Sequence, residues 1–440
     1  MADRKSSVYN KLNKHQKYEV SKMSEILCIL LIMYMSLTKI PYETSGSVGW
    51  WIAGCYALLI TVAFIARNPF QSSKLCFQAI RPALLLKALG LLLGLPYKLD
   101  YSDFTASQIV AQENFQNILF DIAAFIVGAF FITKLNLYRT KTFGRFSLSV
   151  MPVCLFLARL TGKSVHGSYL SVFGILSFTV FMIFAPYAAA YSFCDTSIKN
   201  PLNRNLTALS GNELLYLFIL MLTAILSGKV NHEYGLVLVF TGAVGGLLFI
   251  LYGRSTFSKI CLSCIAVWMA VLVTMTSTKV KTKIMVMNNL ANAWDNGNLM
   301  GGEATQLYYF FLRVKGAGFY GFGSGQLSEK LYPTALNDYV FTTLIYNHGL
   351  LTGFLAFILA SAMCRAILRS NITDRYDGII NQSIAIIFGA IYILSFFGCL
   401  GALPLSGISP LFISSTGHSM EIAGALLLGM AAGLSRKSTG

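Results

Sequence analysis

An all-α, polytopic transmembrane helix bundle is the fold class this sequence predicts, and three observations predict it. Across 440 residues the hydrophobic content is 55%, charged residues make up 12%, and the mean hydropathy is +0.63, too apolar for a soluble domain of this length. Apolar runs recur at lengths suited to a hydrocarbon core about 30 Å thick, which about 20 helical residues cross. Basic residues gather in alternate connections between those runs.

Residues 1–22 form a basic tail without a convincing cleavage site after it, so the first apolar run is expected to stay as a helix. Candidate spans follow at Ile26–Leu37, Val48–Ala66, Pro82–Tyr97, Asn117–Thr133, Ser147–Leu160 and Tyr169–Ser192. They continue at Leu214–Leu226, Gly235–Tyr252, Ile260–Thr276, Tyr339–Leu368, Ile379–Gly398 and Ser419–Leu434. The bundle thus has about 10–12 helices, some of them short. The domain plan is the tail at 1–22 and one transmembrane domain at 23–440, with a large outer loop at 277–337 before the last three helices. Within that loop Glu303–Val314, EATQLYYFFLRV, reads as an amphipathic helix whose aromatic residues suit the headgroup level.

The charges set the orientation. One side of the alternation carries the tail lysines, then Arg67, Lys74 and Arg81, then Lys134, Arg139, Lys141 and Arg145, and later Arg365, Arg369, Arg375, Arg436 and Lys437. The opposite short loops hold only Lys39, Lys98, Lys163 and Lys229, so both termini are expected in the cytoplasm. The loop at 277–337 carries six basic residues, but long loops cross regardless of charge, and its neighbours place it outside. The net charge of +16 therefore reads as topological anchoring to membrane lipid, and no nucleic-acid partner is expected. Most of the nine cysteines lie inside apolar runs, Cys261 and Cys264 included, where a thiol packs as a small hydrophobe and no disulfide framework is expected.

Asp338 stands where the outer loop meets an apolar run. By residue type it reads first as a helix cap, with Asn337 or Asp338 accepting backbone N–H groups. Inside candidate spans lie Lys87, Asp121, Arg159 and Glu421, with His418 at the edge of the last, and charge at membrane depth is costly unless paired. Lys87 and Asp121 read as a pair between neighbouring helices, whereas His418 and Glu421 share one helix face. Gly424, Gly429 and Gly433 read as close helix packing.

Three stretches carry a more specific signal. GAGFYGFGSG (316–325) leads to LYPTALNDYVF (331–341) and GLLTG (349–353); LPLSGISPLFISSTGHS runs from Leu403 to Ser419; and NHEYG occupies 231–235. In order and spacing these resemble the signature segments of the SEDS family, the shape, division and sporulation proteins, with Gly407, Ile408, Phe412, Ile413, Ser414, Gly417 and Ser419 in register. The sequence departs from the pattern at Tyr346, Asn347 and His348, where the family has an acidic pair, and Pro410 and Leu411 invert a Leu-Pro.

The resemblance implies a glycosyltransferase that polymerises lipid II into peptidoglycan strands at the outer face of the bacterial cytoplasmic membrane, working with a class B penicillin-binding protein. It implies Asp338 as general base, because a sugar hydroxyl must lose a proton as it attacks. Arg313, Lys315 and Lys330 are candidates to offset the charge of the departing pyrophosphate, with a divalent cation such as Mg or Mn as a candidate helper. Glu233, Ser414, His418 and Glu421 are candidate substrate-binding residues, and no dedicated metal-ligand set is evident. Two other readings stay open: a different lipid-linked glycan polymerase or ligase of the O-antigen type, and a catalytically degenerate SEDS-like scaffold.

Overall fold

The computed structural model describes residues 74–98, 104–161, 164–165, 168–169, 171–172, 175–194, 215–216, 218–219, 222–223, 226–227, 234–252, 303–322, 338–370, 372–403, 407–414 and 418–437. The tail, the candidate spans Ile26–Leu37, Val48–Ala66 and Ile260–Thr276, and most of Leu214–Leu226 lie outside these residues, as do 277–302 and 323–337 of the outer loop.

Ten α-helices are present among the described residues. They are α1 (Lys74–Lys98), α2 (Phe104–Lys134), α3 (Lys141–Thr161), α4 (Ser177–Phe193) and α5 (Tyr234–Tyr252). After these come α6 (Glu303–Ala317), α7 (Val340–His348), α8 (Leu350–Leu368), α9 (Arg375–Cys399) and α10 (His418–Lys437). Among the described residues four stretches can cross a membrane by length and composition: Gln116–Lys134, Lys141–Leu160, Leu350–Leu368 and Arg375–Cys399. The chain is a multi-pass helical membrane protein.

Two candidate spans differ from expectation. The stretch expected to be helical from Tyr169 to Ser192 begins instead with two-residue antiparallel pairings, Ser164–Val165 with Ser168–Tyr169 and Ser171–Val172 with Ile175–Leu176, and α4 starts only at Ser177. The serines and β-branched residues there favour extended backbone over helix. The run Tyr339–Leu368 is two helices, not one, because the chain breaks at Gly349 with φ +88° and ψ +165°, a conformation open almost only to glycine.

That break has a steric cause. The Leu350 N–H donates to the Gly318 carbonyl at 3.0 Å and the Phe322 N–H to the Tyr346 carbonyl at 2.8 Å, so the glycine-rich turn after α6 crosses directly over Gly349. A Cβ on Gly349 would overlap the Phe319 carbonyl, and one on Gly321 would sit 2.5 Å from the Gly349 nitrogen. Gly349→Ala should therefore cost about 3 kcal/mol or more, combining backbone strain with the clash, and lower the unfolding temperature in detergent.

Small residues also draw α2 and α10 together. A Cβ on Gly128 would overlap the Leu426 carbonyl and one on Gly429 the Phe125 carbonyl, while Gly433 faces Ala129 and Ile132. This is the backbone-to-backbone approach that membrane helices use when apolar side chains gain nothing by leaving lipid. The packing expected for Gly429 and Gly433 is thereby explained, and Gly424 meets Leu411 and Phe412. On the other flank α2 leaves Phe120, Ile126, Val127 and Phe130 exposed, the face a span turns to lipid.

The two ends of the bundle are distinct. Between α2 and α3 a short 3-10 turn, Asn136–Arg139, places Arg139 against Asp377 and 3.6 Å from Asp374 at the start of α9. The Tyr138 hydroxyl donates to Asp377 at 3.1 Å, and burial pushes the Tyr138 phenol up to about 12. The connections around 139 and 374, both basic in the charge alternation, thus share one end. At about 1.5 Å per residue, the 25 residues of α9 span about 37 Å and put Cys399 at the opposite end.

Candidate active site

Asp338 lies at that opposite end. The Cys399 thiol donates to its backbone carbonyl at 3.6 Å, which ties the residue before α7 to the last turn of α9. The cap expected for this acid is not what forms. The residue that caps α7 is Tyr339, with no side-chain cap, and Asp338 occupies the turn before it, while Asn337, the other residue read as a cap, lies outside the described residues. The Ser409 hydroxyl donates to Asp338 Oδ1 at 3.2 Å, and a Cβ on Gly407 would lie 3.8 Å from Oδ2. The two signature stretches, some 70 residues apart in sequence (|i−j| = 71 for this bond), therefore meet at one half-buried carboxylate.

The segment 407–414 is non-helical backbone within a helical bundle, and its polar groups must be satisfied locally. Two residues of α9 do this: Ser395 donates to the Ile408 carbonyl at 3.1 Å, and the buried Tyr392 hydroxyl donates to the Leu411 carbonyl. Gly407 and Phe412 adopt positive φ, +68° and +63°. From α1, Gly90 abuts the Ile413 backbone so closely that a Cβ would overlap its carbonyl oxygen. The segment is thus clamped by three helices, α1, α9 and α10, and presents Ser409 to Asp338.

Under the turn, α6 packs by aromatic stacking. Phe310 lies over Tyr339 with ring centroids 4.0 Å apart, so the helix that leads into the glycine-rich turn is seated on the residue after Asp338. Arg313 sits 5.3 Å over the Tyr346 ring, within cation–π range, and Phe322 packs 5.0 Å from the same ring. Tyr346, in the 346–348 stretch that departs from the resembling family's acidic pair, here receives a cation on its face. Lys315 is exposed in the last turn of α6.

The remaining candidates separate. Ser414 is buried, and its hydroxyl has no hydrogen-bond partner among the described residues. Glu421 is buried in the first turn of α10, where it takes the Lys87 ammonium of α1. Lys87 also lies 2.9 Å from Asp121 of α2, so the expected pair is a three-membered ionic cluster. His418 begins α10. Lys330 and Glu233 lie outside the described residues. Ser409, Cys399, Ser395 and Tyr392 were not legible as site residues; only Ser409 carries a sequence signal, by lying inside the Leu403–Ser419 stretch.

No protein-family model and no curated protein matches the chain. Solved structures do. A chain of a peptidoglycan synthase complex, from work on how that complex coordinates polymerization and crosslinking, superposes with a TM-score of 0.60 at 14% identity, over 82% of this chain and 97% of that one. The rod shape determining protein RodA of Thermus thermophilus superposes with a TM-score of 0.52 at 15% identity, over 82% and 96%. An aspartate-to-alanine variant of the same protein gives 0.52 at 14%, over 82% and 97%. Over most of its length, and with a sequence far diverged, this chain has the fold of RodA.

Proposed function

We propose that the protein is a SEDS-type glycosyltransferase that polymerises lipid II into glycan strands at the outer face of the cytoplasmic membrane. The observation that carries this reading is the meeting of Asp338 with Ser409 and Gly407 at the end of the bundle opposite the basic connections. A sugar hydroxyl attacking an anomeric carbon needs a base within hydrogen-bond reach, and a half-buried carboxylate positioned by the Ser409 hydroxyl is a group of the right kind to take that proton. The proton passes to Asp338, the new glycosidic bond forms, and the bond from the anomeric carbon to the lipid pyrophosphate breaks.

The leaving pyrophosphate needs positive charge. Arg313 and Lys315 of α6 lie on the helix that packs against Tyr339, and Lys330 belongs to the same loop. Among the described residues no group of three His, Cys, Asp or Glu side chains could hold a metal ion. A divalent ion at this site would take Asp338 together with substrate phosphate, the way magnesium commonly binds, and would supply charge to the departing group. By the positive-inside rule the Arg139 end is cytoplasmic and both termini lie there, in the inner membrane of a bacterium. The fold shared with a chain of a peptidoglycan synthase complex supports a class B penicillin-binding protein as partner.

Incubating the purified protein with lipid II tests the reading: a ladder of glycan strands supports it, and inactivity alone and with the partner overturns it. Within that assay Ser409→Ala is expected to lower kcat about tenfold with KM unchanged, since a hydrogen bond to a charged group is worth about 1.5 kcal/mol or more. Ser409→Thr keeps the hydroxyl and should keep most of the rate.

A further inference from the structure

The aromatic residues of the α6 region divide in an unexpected way. On the helix itself Phe310 and Phe311 are buried, Phe310 fully so beneath Tyr339. Among the described side chains the exposed rings belong to the turn that follows: Phe319 is 69% exposed, Tyr320 89% and Phe322 55%. Leaving three neighbouring aromatic rings in water would be costly at about 25 cal/mol per Å² of apolar surface. Their surroundings indicate what covers them.

The turn sits at a fixed depth. The hydrogen bond from the Leu350 N–H to the Gly318 carbonyl places it at the first residue of the Leu350–Leu368 span, the level at which a crossing helix enters the hydrocarbon. Below it Leu351, Phe354 and Ile358 recur at helical spacing and are all exposed, forming the lipid-facing flank of α8. Lys315, one turn of chain before, adds an exposed cation suited to lipid phosphate. Aromatic rings at a span's mouth above an apolar flank match the headgroup belt, where Tyr and Phe place an apolar body below and any polar tip in water.

We propose that Phe319, Tyr320 and Phe322 insert into the headgroup boundary of the leaflet on the Asp338 side and set the depth at which Asp338 works. Two backbone hydrogen bonds pin the turn to the α7–α8 break, and Phe310 on Tyr339 pins α6 to the residue beside Asp338. The anchor and the acid therefore form one rigid unit. The anchoring does not depend on the reaction assigned to the acid, so its test reads no activity.

The full-length chain carrying Tyr320→Trp, reconstituted in phosphatidylethanolamine and phosphatidylglycerol vesicles, is compared with the parent so that the four native tryptophans cancel. Ile358→Trp serves as a reference deeper on the lipid-facing flank. The emission added at 320 is expected to be lost to lipids brominated near the headgroup end of the acyl chain more than to lipids brominated near its tip, with the reference residue quenched at greater depth. Emission quenched by aqueous iodide and insensitive to brominated lipid would overturn the proposal. So would emission shielded from both quenchers, which would mean that protein, a second copy included, covers the turn.

Discussion

Asp338→Asn abolishes glycan polymerisation while leaving the bundle folded: that is the expected result, a fall in kcat of about 10²- to 10⁴-fold, the range a positioned general base contributes. KM should change little, because the base acts on a proton that moves only in the transition state. The amide is isosteric and can still accept from Ser409, so the unfolding temperature should stay within about a degree or two of the parent. Asp338→Glu should also fail, since an added methylene moves the carboxylate off the position that Ser409 and the Cys399–Asp338 bond define. A variant retaining parental polymerisation would remove Asp338 from the chemistry. Retained polymerisation in the parent together with an unaffected Asp338→Asn would direct attention to another base; inactivity of both would favour the scaffold reading.

Much of the bundle was legible in the sequence, because hydropathy and charge are local quantities. The runs at 82–97, 117–133, 147–160, 235–252, 379–398 and 419–434 lie within α1, α2, α3, α5, α9 and α10. What hydropathy cannot register is interruption. A window over 339–368 averages across Gly349, although the break is imposed by a turn from residues 316–322 that crosses it. The cap expected at Asp338 failed for a related reason: a capping side chain competes with any tertiary donor, and Ser409, brought in by the clamped 407–414 segment, supplies one. The stretch expected to be an amphipathic helix at 303–314 was legible as a helix, but the burial of its Phe310 and Phe311 was not. That depends on Tyr339 offering a ring for Phe310 to stack on.

The ionic cluster shows the same limit and sets the second large effect. Lys87 and Asp121 could be paired from sequence because each is an unaffordable charge in an apolar run; Glu421, which follows Lys87 by 334 residues, joins them only because α10 packs on α2 through Gly128 and Gly429. Lys87→Met should destabilise the protein by about 3–5 kcal/mol, since it strands two carboxylates in a low-dielectric interior. Replacing all three at once, Lys87→Met with Asp121→Leu and Glu421→Leu, should restore stability to near the parent, because well-packed apolar groups of similar volume incur no desolvation penalty. Thermal unfolding in detergent checks both. The two variants should also part company in polymerisation. α1 bears on the Ile413 backbone through Gly90, so loosening α1 by Lys87→Met shifts the segment that presents Ser409 and lowers the rate, whereas the triple replacement keeps α1 seated and the rate near parental. Equal stability in parent and Lys87→Met would mean that the cluster is solvated and that Gly90 alone holds α1 against the site.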